Sequence, residues 1–273
     1  FEFWQLPPWA RRDWRDAEGK LHEGVADPGP YAEAMVRYCQ AARQKAGAPP
    51  DIVGIQNEVT QPAPVWHEMA LALRKALDAA GFQGVKIHMQ NSPRVITGIH
   101  SARAFTGSAA VWKTMDFAAS NMYDYQDFFF DPDGFDARLR EFKQIIGDKP
   151  FLSTELSINN DLFQTCSYRQ AFAMGQLYHK NLTIVDACGI MYCWVLLNVE
   201  QPSYGWTRTL MVPDPEHGGV PDELFPLEDL QVAQAHCAAG GVGAPPASAR
   251  SIWSRPSPLE RRRGRRPAPG RTG

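Results

Sequence analysis

From residue 31 onward the sequence alternates short, almost unbroken apolar runs with longer segments whose apolar residues recur every three or four positions. The short runs read as buried β-strands over 52–56, 85–89, 116–123, 149–157 and 189–197. Between them lie helical patterns. Over 31–45 the apolar face is Tyr31, Met35, Tyr38, Cys39 and Ala42; over 64–80 it is Trp66, Met69, Leu73 and Leu77; over 135–146 it is Phe135, Leu139, Phe142 and Ile146. A weaker helical pattern covers 99–110, and a long helix is expected over about 167–187. Gly47 with Pro49-Pro50, and Gly81, supply the stops, and Asp131-Pro132-Asp133-Gly134 reads as a turn. Upstream, residues 1–4 read as a strand stub broken by Pro7 and Pro8, followed by a polar loop to Pro30.

Strand–helix alternation with continuously apolar strands demands a parallel sheet covered by helices, because such strands are buried on both faces. The expected class is α/β. A (β/α)8 TIM barrel fits best, since its reactive residues gather at the C-terminal ends of the strands. Polar residues cluster at those ends here: Asn57 and Glu58, Gln90 and Asn91, Tyr123 and Asp124, Glu155, and Asn198. A doubly wound open sheet is the structural rival. Neither G-x-G-x-x-G nor G-x-x-x-x-G-K-[ST] follows any strand, so no nucleotide cofactor is expected.

Two strands that each finish on a glutamate, DIVGIQNE and KPFLSTE, aim two carboxyls at one pocket. Glycoside hydrolysis needs such a pair flanking the scissile bond: one protonated as general acid, the other ionised as nucleophile or base. Glu58 lies on the second visible strand and Glu155 on the fifth, three strands later. Counted as strands four and seven of a barrel, they make residues 1–4 strand three. The chain opens on FEFWQLPPW with neither an initiator Met nor a signal-peptide pattern. It is therefore expected to be a fragment lacking the first two strands.

These residues resemble the clan A retaining glycoside hydrolases, most closely glycoside hydrolase family 30. The matching pieces are Trp4 to Trp9 (WQLPPW), Gln56-Asn57-Glu58, Thr154-Glu155-Leu156 and Trp194, in order over residues 1–200. The resemblance implies Glu58 as acid/base and Glu155 as nucleophile, acting on β-linked glycosides with net retention. It implies Asn57 on the 2-hydroxyl and Trp194 as the floor of the −1 subsite. Trp4, Trp9, Asn91 and Tyr123 complete the candidate carbohydrate-binding set, with core packing the competing role for the tryptophans. One departure stands out: the family commonly shows His two residues before the Tyr of strand six, and this chain has Asn121 there. Retention corresponds to carboxyls about 5–5.5 Å apart, against roughly 6.5–9.5 Å for inversion. The alternative is a carbohydrate-binding barrel without catalysis.

Other signals are weaker. His67-Glu68 begins an H-E-x-x-H pattern that Leu71 fails to close, and no metal site is expected. No G-x-S-x-G supports a serine hydrolase. His88, on an apolar strand, reads as a core histidine. Asn181-Leu182-Thr183 matches a glycosylation sequon inside a predicted helix. Five scattered cysteines show no ligand or disulfide spacing. A net charge of −2 gives no electrostatic case for nucleic acid. No apolar run reaches the roughly 18 residues that a membrane span needs. Residues 1–238 are assigned to a partial barrel of strands three to eight, and 239–273, rich in Ala, Pro, Gly and Arg, to a disordered tail. Compartment and oligomeric state stay open, although relatives of this kind are commonly exported.

Overall fold

The computed structural model describes residues 2–158 and 168–193, and two short strands further on. A 3-10 turn over Pro8–Ala10 leads into β1 (Arg11–Arg15) and β2 (Leu21–Ala26). Then follow α1 (Pro28–Ala46), β3 (Ile52–Gly54), α2 (Ala63–Ala79), β4 (Lys86–His88), α3 (Val95–Thr106) and α4 (Ala109–Thr114). The order continues with β5 (Ala118–Asn121), α5 (Tyr125–Phe130), α6 (Pro132–Ile146), β6 (Phe151–Leu156), α7 (Tyr168–Ile184) and β7 (Ala187–Tyr192). An antiparallel pair, β8 (Met211–Pro213) and β9 (Leu224–Pro226), completes the set.

β3 pairs with β4, and β5 with β6 and β7, all in parallel. A parallel bridge from His88 to Phe117 joins the two groups, and Met89 N–H donates to Phe117 O at 3.1 Å. The result is one arc of five parallel strands in sequence order, open among the described residues. Its interior strands carry no exposed face: Val53, Ile55, Ile87, Met89, Ala118, Ala119 and Phe151 are buried. Helices cover the outside through the faces that their periodicity dictates. Tyr31, Met35 and Cys39 of α1 and Met69, Leu73 and Leu77 of α2 are buried, as are Phe135, Leu139, Phe142 and Ile146 of α6.

Three expectations are corrected. Residues 2–4 are not a strand; their link to the sheet is one backbone bond, Asn57 N–H to Phe3 O at 2.9 Å. The supposed loop before Pro30 contains the β1–β2 hairpin. No residue of β1 is fully buried, and its sequence RRDWR lacks the apolar alternation that marks a half-buried strand. The Asp131–Gly134 turn is instead the start of α6: the Asp131 side chain accepts from Gly134 N–H at 3.1 Å, and Pro132 occupies the first turn. Acceptor side chain, Pro and helix form an N-cap, which shares its residues with a turn. The strand expected over 189–197 is β7, which begins at Ala187; residues 194–197 of that expectation lie outside the described residues, as does 239–273.

Gly54 ends β3 where the interior is tightest. A Cβ there would overlap the His88 ring and approach Glu2 Oε2 to 2.6 Å. Gly54→Ala is expected to lower stability by about 1–3 kcal/mol, the usual cost of overpacking. Urea denaturation measures it, and an unchanged midpoint would show that the interior is looser than this.

Candidate active site

The site is assembled at the C-terminal ends of the parallel strands. After β3, Asn57 N–H donates to Phe3 O at 2.9 Å and Glu58 N–H to Asn91 O at 2.9 Å. The chain is thus tied on both sides, and Asn57 and Asn91 form a parallel bridge. Glu58 adopts φ +53°, in the left-handed region. For a residue with a Cβ this conformation costs on the order of 1 kcal/mol and persists only where neighbours impose it, which is a common feature of functional sites.

Across the arc, Ser120 faces Ser153 but Asn121 faces Glu155, so β6 carries one extra residue between these pairs. Such a bulge re-aims the side chains beside it. Met122 N–H donates to Glu155 O at 2.7 Å and fixes the far side of the bulge. Tyr123, two residues beyond Asn121, donates its hydroxyl to Glu155 Oε2 at 2.5 Å.

Asn121 sits between the two glutamates and uses its whole amide. Its Nδ2 donates to Glu58 Oε1 at 2.8 Å and to Asn57 Oδ1 at 3.2 Å. Its Oδ1 accepts from Thr154 Oγ1 at 2.8 Å and from Asn91 Nδ2 at 3.2 Å. Asn91 also donates to Glu2 Oε1 at 3.0 Å. Asn91 and Asn121 are fully buried, whereas Glu58, Glu155 and Tyr123 are part-exposed. The amides therefore form the floor and the carboxyls reach solvent.

Electrostatics separates the groups. Burial raises the Glu58 pKa above the ordinary carboxylate range; the Asn121 hydrogen bond opposes this, and the charge of Glu155 adds to it. Burial also raises the Tyr123 pKa, with further contributions from hydrogen bonds to Cys193 and Glu155, so its hydroxyl keeps its proton and acts as a donor. A third carboxyl, Glu2, is pushed up to about 7, chiefly by burial and in part by Glu155 and Glu58. Burial pushes His88 down to about 4, leaving a neutral ring whose Nδ1 donates to Met89 O at 2.7 Å.

Of the residues singled out from sequence, Asn57, Glu58, Asn91, Tyr123 and Glu155 are brought together. Trp4 and Trp9 are 60% and 59% exposed on the segment that precedes the hairpin, neither of them a core residue. Trp4 follows Phe3, whose carbonyl is bonded to Asn57, so it stands at the site's edge. Trp194 lies outside the described residues. Glu2 was not anticipated, Thr154 had been noted only as part of the Thr-Glu motif, and Asn121 had stood out only as a departure. Of the minor signals, His67 bonds Ala104 O at 2.8 Å and Glu68 pairs with Arg12. Asn181 is buried, with its amide on Leu177 O at 3.0 Å. Among the described residues no three His, Cys, Asp or Glu side chains are grouped to hold a metal ion, and no helix is long and apolar enough to cross a membrane.

No family model and no curated protein matches the sequence. Solved structures do. SrfJ from Salmonella typhimurium superposes with a TM-score of 0.63 at 16% identity, over 85% of this chain and 52% of its own. The catalytic domain of the GH30 xylanase C from Talaromyces cellulolyticus gives 0.60 at 11%, over 85% and 52%. The endo-β1,6-glucanase BT3312 gives 0.63 at 18%, over 85% and 54%. This chain has the fold of glycoside hydrolase family 30 structures. It spans about half the length of the chains that it matches.

Because the Asn121 amide stabilises the ionised form of Glu58, Asn121→Ala is expected to raise the Glu58 pKa further. A carbon-13 NMR titration of the Glu58 carboxyl reads this directly. A fall, or no change, would mean that Asn121 does not hold Glu58.

Proposed function

We propose that the protein is a retaining β-glycosidase acting on a polysaccharide or glycoconjugate. In this reading Glu58 is the acid/base and Glu155 the nucleophile. The observation that carries it is the contrast between these two carboxyls, bound on either side of Asn121 and Tyr123. Glu58 has a raised pKa, whereas Glu155 receives a 2.5 Å hydrogen bond from a hydroxyl that stays protonated. A carboxyl that burial inclines to keep its proton, close to one held by a hydroxyl donor, is what a general acid and a nucleophile require. The family 30 fold and the Gln-Asn-Glu and Thr-Glu motifs support the same assignment.

In the first step a Glu155 oxygen attacks the anomeric carbon, and the bond to the leaving oxygen breaks. That oxygen takes the proton from Glu58, giving a glycosyl ester on Glu155 and an ionised Glu58. In the second step Glu58 takes a proton from water as the water oxygen attacks the anomeric carbon. The ester bond breaks, Glu155 is released as carboxylate, and the configuration is retained. Protons and charge balance over the two steps, and neither step calls on a metal ion or a cofactor.

Tyr123 holds Glu155 so that its other oxygen faces the sugar, and its hydroxyl stabilises the negative charge that returns to Glu155 as the ester bond breaks. Asn57 hydrogen-bonds the 2-hydroxyl, with its own carbonyl fixed by Asn121. Asn91 contributes from below, through Asn121. Trp4 and Trp9 offer exposed ring faces for sugar stacking, and Trp194 is assigned to the subsite floor. The arc β3 to β7 is read as strands four to eight of a (β/α)8 barrel that lies within residues 1–238.

Glu155→Gln is expected to abolish turnover. Glu58→Gln is expected to slow glycosides with poor leaving groups by about 10²–10⁴-fold while sparing formation of the glycosyl ester from activated ones, because only the former need protonation. Steady-state kinetics on an aryl glycoside series measures both. Equal loss across the series would overturn the acid/base assignment. Retained oligosaccharide binding with no turnover would favour a binding protein instead. A raised Glu58 pKa also places the alkaline limb of kcat/KM above the ordinary carboxylate range, since the free enzyme must carry the Glu58 proton.

A further inference from the structure

The pocket holds a carboxyl that a two-glutamate mechanism leaves without a role. Glu2 Oε1 accepts from Asn91 Nδ2 at 3.0 Å. Its Oε2 is buried beside Gly54, 4.0 Å from His88 Nε2, and has no hydrogen-bond partner among the described residues. The next links run without a gap: Asn91 Nδ2 to Asn121 Oδ1, then Asn121 Nδ2 to Glu58 Oε1. An amide can turn over and exchange its donor for its acceptor. Glu2 sets the direction of the Asn91 amide, and Asn91, with Thr154 Oγ1 and Asn57 Oδ1, sets that of Asn121.

We propose that Glu2 is a positioning residue of the site: by accepting from Asn91 it orders the Asn91 and Asn121 amides, so that Asn121 presents its NH2 to Glu58. The inference deepens the glycosidase reading and rests on it for the catalytic consequence, though not for the hydrogen-bond relay. If Asn91 lost its acceptor at Glu2, its amide could reverse and offer Asn121 an oxygen. Asn121 would then meet that oxygen with its own NH2 and turn its oxygen toward Glu58, where two acceptors repel.

The groups facing Glu2 fit a neutral or half-neutral carboxyl. Glu58 and Glu155 share the pocket, Tyr31 lies below it, and His88 stands beside it from β4. Tyr31 donates to Ile55 O at 2.7 Å and stays protonated. His88 is neutral and points its unprotonated Nε2 at the Glu2 side. Burial pushes the Glu2 pKa up to about 7, so its carboxyl carries a proton below that pH. A protonated Glu2 presents one acceptor to Asn91 and one donor toward His88 Nε2. Glutamine presents the same pair, and alanine presents neither.

The test compares the protein with Glu2→Ala and Glu2→Gln by carbon-13 NMR titration of Glu58, its signal identified by its loss in Glu58→Gln. In Glu2→Ala the Glu58 midpoint is expected to rise, because the hydrogen bond that favours its ionised form is lost. In Glu2→Gln it is expected to return to the native value, while the separate ionisation near pH 7 disappears. On aryl glycosides, Glu2→Ala is expected to lower kcat by about tenfold to a hundredfold with little change in KM, and glutamine to restore most of it. Should Glu2→Ala prove too unstable to titrate, the near-isosteric Glu2→Leu makes the same comparison. A Glu58 midpoint that does not move in Glu2→Ala or Glu2→Leu overturns the proposal. So does a displacement in Glu2→Gln as large as in alanine, since that would assign the effect to charge. A protein without turnover whose Glu58 still responds in this pattern would sink the glycosidase reading and leave the relay standing.

Discussion

The structure of this site depends on how the chain is held at Asn57 and Glu58. Their two amide groups are bonded to different neighbours, Phe3 on one side and Asn91 on the other, and Glu58 takes a left-handed backbone conformation between them. Without those two bonds the residue would relax to a commoner conformation, about 1 kcal/mol lower in energy, and its carboxyl would swing away from Asn121. The strain is small against the stability of a domain. It decides where a carboxyl points, and the arc of parallel strands supplies the rigid frame that makes it affordable.

A second constraint is electrostatic. Burying carboxyls close together forbids all of them from ionising at once. Here the amide floor distributes the charge. Asn121 donates to Glu58, Tyr123 donates to Glu155, and Asn91 donates to Glu2. The remaining cost is met by protonation, most strongly at Glu2 and to a lesser degree at Glu58. The neutral His88 is consistent with the same apolar interior, which disfavours any charge that lacks a partner.

Much of this arrangement was legible in the sequence. Apolar runs located the five parallel strands to within a few residues at every end that lies among the described residues, because a strand buried on both faces has little choice of composition. The offset of three strands between Glu58 and Glu155 survives as β3 to β6. What was not legible depended on contacts between distant residues. The β1–β2 hairpin hides because its charged, outward faces have no period to reveal. Asp131 and Pro132 carry the same residues whether they turn a chain or cap a helix, and only the Gly134 bond distinguishes the two. Glu2 gave no signal, because its place beside Asn91 and His88 joins residues nearly ninety positions apart. Asn121 was visible as a substitution, but its four hydrogen bonds were not.

The most direct test of the central claim is to identify the residue that becomes covalently attached to the sugar. The protein would be incubated with a panel of activated 2-deoxy-2-fluoro glycosides, in which the fluorine slows release of the ester more than its formation, and its peptide masses recorded. The account predicts a single glycosyl adduct on the peptide that carries Glu155. An adduct on another residue, or a protein that hydrolyses a member of the panel's parent sugars without ever carrying one on Glu155, would contradict it.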